Sequence, residues 1–328
     1  MTNTTKPIFS LPFSPYMKNK EYEDIYLPFV QKYHSFIYDI YATVHIPPFM
    51  SDAMGGGSLK SDELIQKALR VQNDTKKPIS ATFNNIHIPP TKENLTLFID
   101  SFAPLYEAGI HFITLPFTHW MLSGELFVNF PLLRIKNSVL NRIDNAQSYW
   151  DSALAGYSVV NLDRKLLRNK KTLEEIKKAQ NLFASTYGFA PLTQILANEN
   201  CIGLCPVMDE HFSINIATGS YGVDYTCKKW KTLDDAYSYR VANLSPFKED
   251  IDEILKCVDM LKLHGRGGTA LLQDSMEFVS DFVKEKELFE YGKKLFKNPT
   301  SKATKKWRQT IKTCRFQCWD CEVCDGLV

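Results

Sequence analysis

Ile79-Ser-Ala-Thr-Phe83, then Lys92-Glu-Asn-Leu-Thr-Leu-Phe-Ile-Asp-Ser-Phe-Ala-Pro-Leu-Tyr-Glu107, then His111-Phe-Ile-Thr-Leu115, read as a short β-branched run, a long run with apolar residues three and four apart, and a second short run. A strand, a helix and a strand in such quick succession make a βαβ unit, whose two strands lie parallel. The same alternation continues on either side. Candidate strands are Phe36 to His45, Ile79 to Phe83, His111 to Leu115, Leu132 to Ile135, Ser158 to Leu162, Leu192 to Asn198, Val241 to Leu244 and Met260 to His264. Candidate helices are Leu59 to Gln72, Lys92 to Glu107, Arg142 to Ala155, Thr172 to Thr186 and Lys248 to Asp259. Eight strands alternating with helices predict an α/β protein with a closed (β/α)8 barrel of the TIM type.

The barrel is expected over residues 1–270, followed over 271–328 by a helical extension and a cysteine-rich tail. Within the extension a helical pattern runs from Ser275 to Phe296 and a basic link from Lys297 to Lys312. Val207 to Asp235 is long for a βα connection, and long loops at the C-terminal ends of barrel strands commonly carry function. The triplet Gly55 to Gly57 lacks the Gly-Lys-Ser/Thr continuation of a P-loop.

With 39 basic against 37 acidic residues the net charge is +2, which gives no positive field of the size nucleic-acid binding needs. No apolar run approaches the ~18 residues of a membrane span, and the opening Met-Thr-Asn-Thr-Thr-Lys6 has no apolar continuation. A soluble cytoplasmic protein is the expectation, in a compartment where stable disulfides are rare.

Four of the eight cysteines stand in the last fifteen residues, in Cys314-Arg-Phe-Gln-Cys318-Trp-Asp-Cys321-Glu-Val-Cys324. Thiolates at such spacings suit a 4Fe–4S cluster, with tetrahedral zinc as the alternative for the tail. Cys201, Cys205 and Cys227 form a second group, and Pro206 fixes the backbone after Cys205. Seven candidate ligands allow one cluster of mixed origin or two separate centres. Cys257, beside Ile254, Leu255 and Val258, reads as a small buried hydrophobe.

The second group lies in Leu196-Ala-Asn-Glu-Asn-Cys201-Ile-Gly-Leu-Cys205-Pro-Val-Met-Asp-Glu-His211-Phe212. This block resembles one in the collagenase-like peptidase family U32 and its relatives. Other blocks fall in the same order: Ile37-Tyr-Asp-Ile-Tyr41 on the first expected strand, Val160-Asn-Leu-Asp163-Arg164 closing the fifth, Ser245-Pro-Phe-Lys-Glu-Asp250, and Leu261-Lys-Leu-His-Gly-Arg266 on the last. The resemblance implies a (β/α)8 barrel with a 4Fe–4S cluster held by four cysteines. It also implies an oxygen-independent hydroxylase of a small molecule or a nucleic-acid base, with prephenate as oxygen donor. An accessory electron-transfer or partner-docking protein is the alternative, and a protease a third reading. Two departures stand out. Asn84-Asn-Ile-His87, after the second expected strand, has no cysteine, and the tail is denser in cysteine than is usual for the family.

The remaining candidates gather where barrel loops meet. His211 could ligate a metal, relay a proton, contact substrate or serve structure. Asp163 and Arg164 either orient substrate, with a catalytic role, or form a rim ion pair. His45 and His264 end strands on the same rim. No HxH or HExxH spacing supports a mononuclear metal there. Arg266, between Gly265 and Gly267, can grip a carboxylate in bidentate fashion, so His45, His264 and Arg266 make the expected substrate-binding set. The partners this admits are a small carboxylate such as prephenate, and a protein partner or a homologous subunit.

Overall fold

The computed structural model describes residues 6–49, 60–199, 201, 205, 207–218, 233–266 and 268–328. Eight parallel strands close into a barrel in sequence order: β1 Phe9–Pro12, β2 Ile37–Thr43, β3 Ile79–Thr82, β4 Phe112–Leu115, β5 Arg134–Asn137, β6 Val159–Leu162, β7 Leu192–Leu196 and β8 Met260–Lys262. Closure is made by β1 against β8, where Phe9 pairs with Leu261 and Ser10 with Lys262. The fold class read from the sequence is the one observed.

The strand list needs one exchange. Val241 to Leu244 is not a strand but the end of a short helix, Tyr237–Val241, and the turn after it. The missing strand is β1, Phe-Ser-Leu-Pro, whose four residues are all buried. A four-residue run ending in proline shows no period, and proline is normally a mark against a strand. Here Pro12 is the last residue of β1, where a lost N–H costs no internal ladder bond. Ile37 to Tyr41 is therefore on the second strand and Asp163 follows the sixth.

The helix Lys92–Glu107 starts where Thr91 accepts a hydrogen bond from the Asn94 N–H, and buries Leu95, Phe98, Phe102 and Leu105 on one face. Lys170–Tyr187 is capped by Asn169 and stopped by Gly188 at φ +79°. The helix Thr269–Val283 runs across residue 270 and lays Phe278 and Phe282 edge-on to Phe9 of β1. The run Ser275 to Phe296 is not continuous helix, because Glu285 takes φ +53° and the chain restarts at Glu290–Leu295. The basic link contains a real helix, Lys302–Ile311, capped by Ser301. Val207 to Asp235 opens with the helix Met208–Thr218, and Gly55 to Gly57 and Cys227 lie outside the described residues.

The barrel interior is polar in its middle layer. Lys136 of β5, almost fully buried, sits 2.6 Å from Asp39 of β2, with Gln194 and Ser10 also within reach. Below it Phe112, Val159 and Met260 fill the floor, and the Lys136 ammonium lies 4.7 Å over the Phe112 ring. Burial pushes the Lys136 pKa down while Asp39 opposes the shift. Removing one partner of such a pair strands a buried charge, which ties β2 to β5 at the barrel axis.

Candidate functional site

At the C-terminal ends of the strands three cations meet two imidazoles. Arg266 follows β8 and is buried, with its guanidinium 5.2 Å from the Tyr41 ring centroid, and Lys262 of β8 lies 4.4 Å over the same ring. The Tyr41 hydroxyl donates to the Leu263 carbonyl, which holds the ring across the mouth. Arg164, after β6, is buried and paired with Glu199, just before Cys201.

His45 is buried, and its Nε2 has no hydrogen-bond partner among the described residues. The Nε2 of His264 is likewise buried and unpartnered. Burial, then the nearby Arg266, lowers the His45 pKa to about 4. Burial, then Arg266, Arg164 and Lys262, does the same for His264. Both rings are neutral at pH 7 and are weak bases, better suited to holding a ligand than to taking its proton. The expected trio of His45, His264 and Arg266 is thus together at one mouth. Lys262, Tyr41 and Glu199 were not foreseen there; Lys262 could have been found, being two residues before His264 in the run expected as the last strand.

Asp163 caps the 3-10 helix Arg164–Arg168, its Oδ1 accepting from the Lys165 N–H at 2.9 Å. Arg164 is in a rim ion pair, and its partner there is Glu199. His211 is half-buried in the first turn of Met208–Thr218.

The four tail thiols converge elsewhere. Cys314, Cys318, Cys321 and Cys324 line one cavity of about 150 Å³, together with Arg168, Arg240, Trp307 and Ile311. Trp307, Ile311 and Cys314 are spaced four and three apart, so the helix Lys302–Ile311 presents the first two toward the thiol that follows it. A small second core of Tyr239, Ala242, Phe296, Trp307 and Ile311 supports this wall. None of the seven described cysteines is in a disulfide.

Arg168 closes the cavity at its barrel side. It is 2 % exposed; its Nη2 donates to the carbonyls of Tyr239 and Ala242 at 2.7 and 3.0 Å, and its Nη1 to Cys314 Sγ at 3.7 Å. Its Nε and the Nε1 of the fully buried Trp307 have no hydrogen-bond partner among the described residues. Burial pushes the Cys324 thiol up to about 11. No three His, Cys, Asp or Glu side chains among the described residues are grouped as a single metal ion requires. Neither Arg168 nor Trp307 was legible as a site residue, because each meets the thiols only through tertiary packing.

Cys201 and Cys205, both half-buried after β7, do not line this cavity. The two cysteine groups are nevertheless joined by one segment: Asn243 Nδ2 donates to the Cys201 carbonyl at 2.7 Å, and Arg168 holds Tyr239 and Ala242 just before it. Cys257 is buried in the main core, as its neighbours indicated.

No family model and no curated protein matches the chain. Among solved structures, the U32 peptidase Mk0906 superposes with a TM-score of 0.50 at 11 % identity, over 78 % of this chain and 91 % of that one. The chain has a U32 peptidase-like fold. At that identity the likeness is one of fold. The U32-like barrel also overlaps a designed cube-shaped protein cage, with a TM-score of 0.42 at 10 % identity over 86 % of this chain and 72 % of that one. For Rubisco from Pyrococcus horikoshii OT3 the values are 0.39 and 12 %, over 85 % and 64 %. No helix among the described residues is long and apolar enough to cross a membrane.

Proposed function

We propose that this chain is an iron–sulfur barrel enzyme whose tail thiols Cys314, Cys318, Cys321 and Cys324 hold a 4Fe–4S cluster and whose cationic mouth takes a small carboxylate. The observation that carries the reading is the cavity itself: four thiols line one small space together with Arg168 and Trp307, each of which has a buried N–H with no acceptor among the described residues. A single zinc ion draws its thiolates to one point about 2.3 Å from each sulfur. A cubane spreads its thiolates over four irons and brings sulfide acceptors for neighbouring donors. The donor set and the orphaned N–H groups fit the second better. Such a cluster, when bound, supplies one-electron transfer, since four thiolates leave no iron open for substrate.

At the mouth, Arg266 and Lys262 would neutralise a carboxylate, while the neutral rings of His45 and His264 offer hydrogen bonds without competing for its proton. Arg164, paired with Glu199, would position the loop that leads to Cys201. The resemblance refines the reading to oxygen-independent hydroxylation with a prephenate-type oxygen donor. A second reading, favoured by the complete tail set, is electron transfer to a partner without chemistry at the barrel mouth.

Anaerobic purification with iron and sulfide quantitation tests the first part. Equal iron and sulfide are expected in the unaltered protein, loss of both on replacing any tail cysteine by serine, and retention in Cys257→Ser. Stoichiometric zinc without iron would overturn it. Calorimetry with prephenate separates the two readings: Arg266→Lys keeps charge but loses the planar fork, and binding should weaken by about 1–3 kcal/mol with iron content unchanged. No binding to the unaltered protein favours the electron-transfer reading.

A further inference from the structure

Resting on the iron–sulfur reading of the tail, we propose that Arg168 and Trp307 are positioning residues that donate N–H···S hydrogen bonds to the cluster and raise its reduction potential. Both line the cavity with the four thiols, and both are buried. Arg168 Nε and Trp307 Nε1 are left without acceptors by every described protein group. Native proteins rarely leave buried donors unmet, so such atoms mark the place of something that accepts.

Neither group can turn away to find another partner. Arg168 is fixed by two backbone carbonyls and lies over the Phe316 ring at 5.7 Å. Trp307 is wedged edge-on to Phe296, ring centroids 5.1 Å apart, on a helix whose start is capped by Ser301. The Phe316 N–H, 3.4 Å from Cys314 Sγ, adds a backbone donor to the same thiol.

Reduction adds an electron to the cluster, and its sulfurs then become better acceptors. Fixed donors and a guanidinium beside the half-buried thiols therefore stabilise the reduced form more than the oxidised one. The potential rises with each donor. Arg168 also ends the 3-10 helix that begins at Arg164, so the cation touching the tail thiols and the one paired with Glu199 at the barrel rim share one rigid turn.

The test is an anaerobic redox titration of the holoprotein followed by electron paramagnetic resonance, with resonance Raman spectra in light and heavy water. Trp307→Phe removes the N–H and keeps the ring. It should retain full iron, lower the midpoint potential and diminish the deuterium sensitivity of the iron–sulfur stretching bands. Arg168→Lys keeps charge but loses the Nε donor and should shift the potential the same way. Full iron with an unchanged potential and unchanged deuterium sensitivity in Trp307→Phe would overturn the proposal, even if Arg168→Lys fails to assemble. An unaltered protein that takes up no iron would instead overturn the tail assignment on which it rests.

Discussion

His45 and His264 show what a residue can and cannot reveal in sequence. Their place at strand ends was legible because a barrel directs every such residue to one rim. Their neutrality was not, since it comes from burial beside Arg266, with Arg164 and Lys262 also facing His264, groups brought from the ends of β6 and β8. Each ring has a folded pKa near 4 against an ordinary 6.5, so between those values the unfolded chain binds the extra protons. Stability should therefore fall as pH drops through that window, by up to about 3 kcal/mol per histidine. Urea unfolding at about pH 7 and about pH 5 checks this: the double variant His45→Gln, His264→Gln should lose less stability than the unaltered protein, and an equal loss would contradict it. Asp259 does not blur the test. Burial would raise its pKa, but Gln180, Thr193, Lys6 and Lys177 outweigh that and hold it below the usual range, so it titrates at lower pH.

Among the elements, long amphipathic helices were the most legible and short buried pieces the least. Lys92–Glu107 was read to the residue because four apolar positions share a face and Thr91 caps it. The break between Val283 and Glu290 was invisible, because nothing local to Glu285 announces a left-handed residue. What sets the second helix in place is Gly292, buried against the turn at Pro246. A Cβ there would come within 2.4 Å of Pro246 Cβ and 2.7 Å of Leu288 Cδ1. The proline ring cannot yield, so Gly292→Ala must push the Glu290–Leu295 helix outward. A loss of about 1–3 kcal/mol in chemical denaturation is expected. Since Phe296 follows that helix and packs on Trp307, iron retention should fall as well. An unchanged midpoint would mean that the helix can shift freely.

On the scale of the whole molecule, the proposed function divides the work between the barrel and the tail. The barrel was legible because a parallel sheet needs helices between its strands, and that alternation is written along the chain. The partition of the cysteines was not, because spacing alone allowed one mixed cluster or two. Folding brings Cys314, Cys318, Cys321 and Cys324 to one cavity and leaves Cys201 and Cys205 behind β7, connected through Asn243. The N–H groups of Arg168 and Trp307 then argue for an acceptor-rich occupant of that cavity.

The most direct test is the Mössbauer spectrum of anaerobically reconstituted protein, compared between Cys318→Ser/Cys321→Ser and Cys201→Ser/Cys205→Ser. If the tail holds the cluster, the cubane signal persists when the β7 cysteines are changed and vanishes when the tail cysteines are. A signal that survives loss of the tail thiols and disappears with Cys201 and Cys205 would place the cluster at the barrel mouth and contradict the tail assignment.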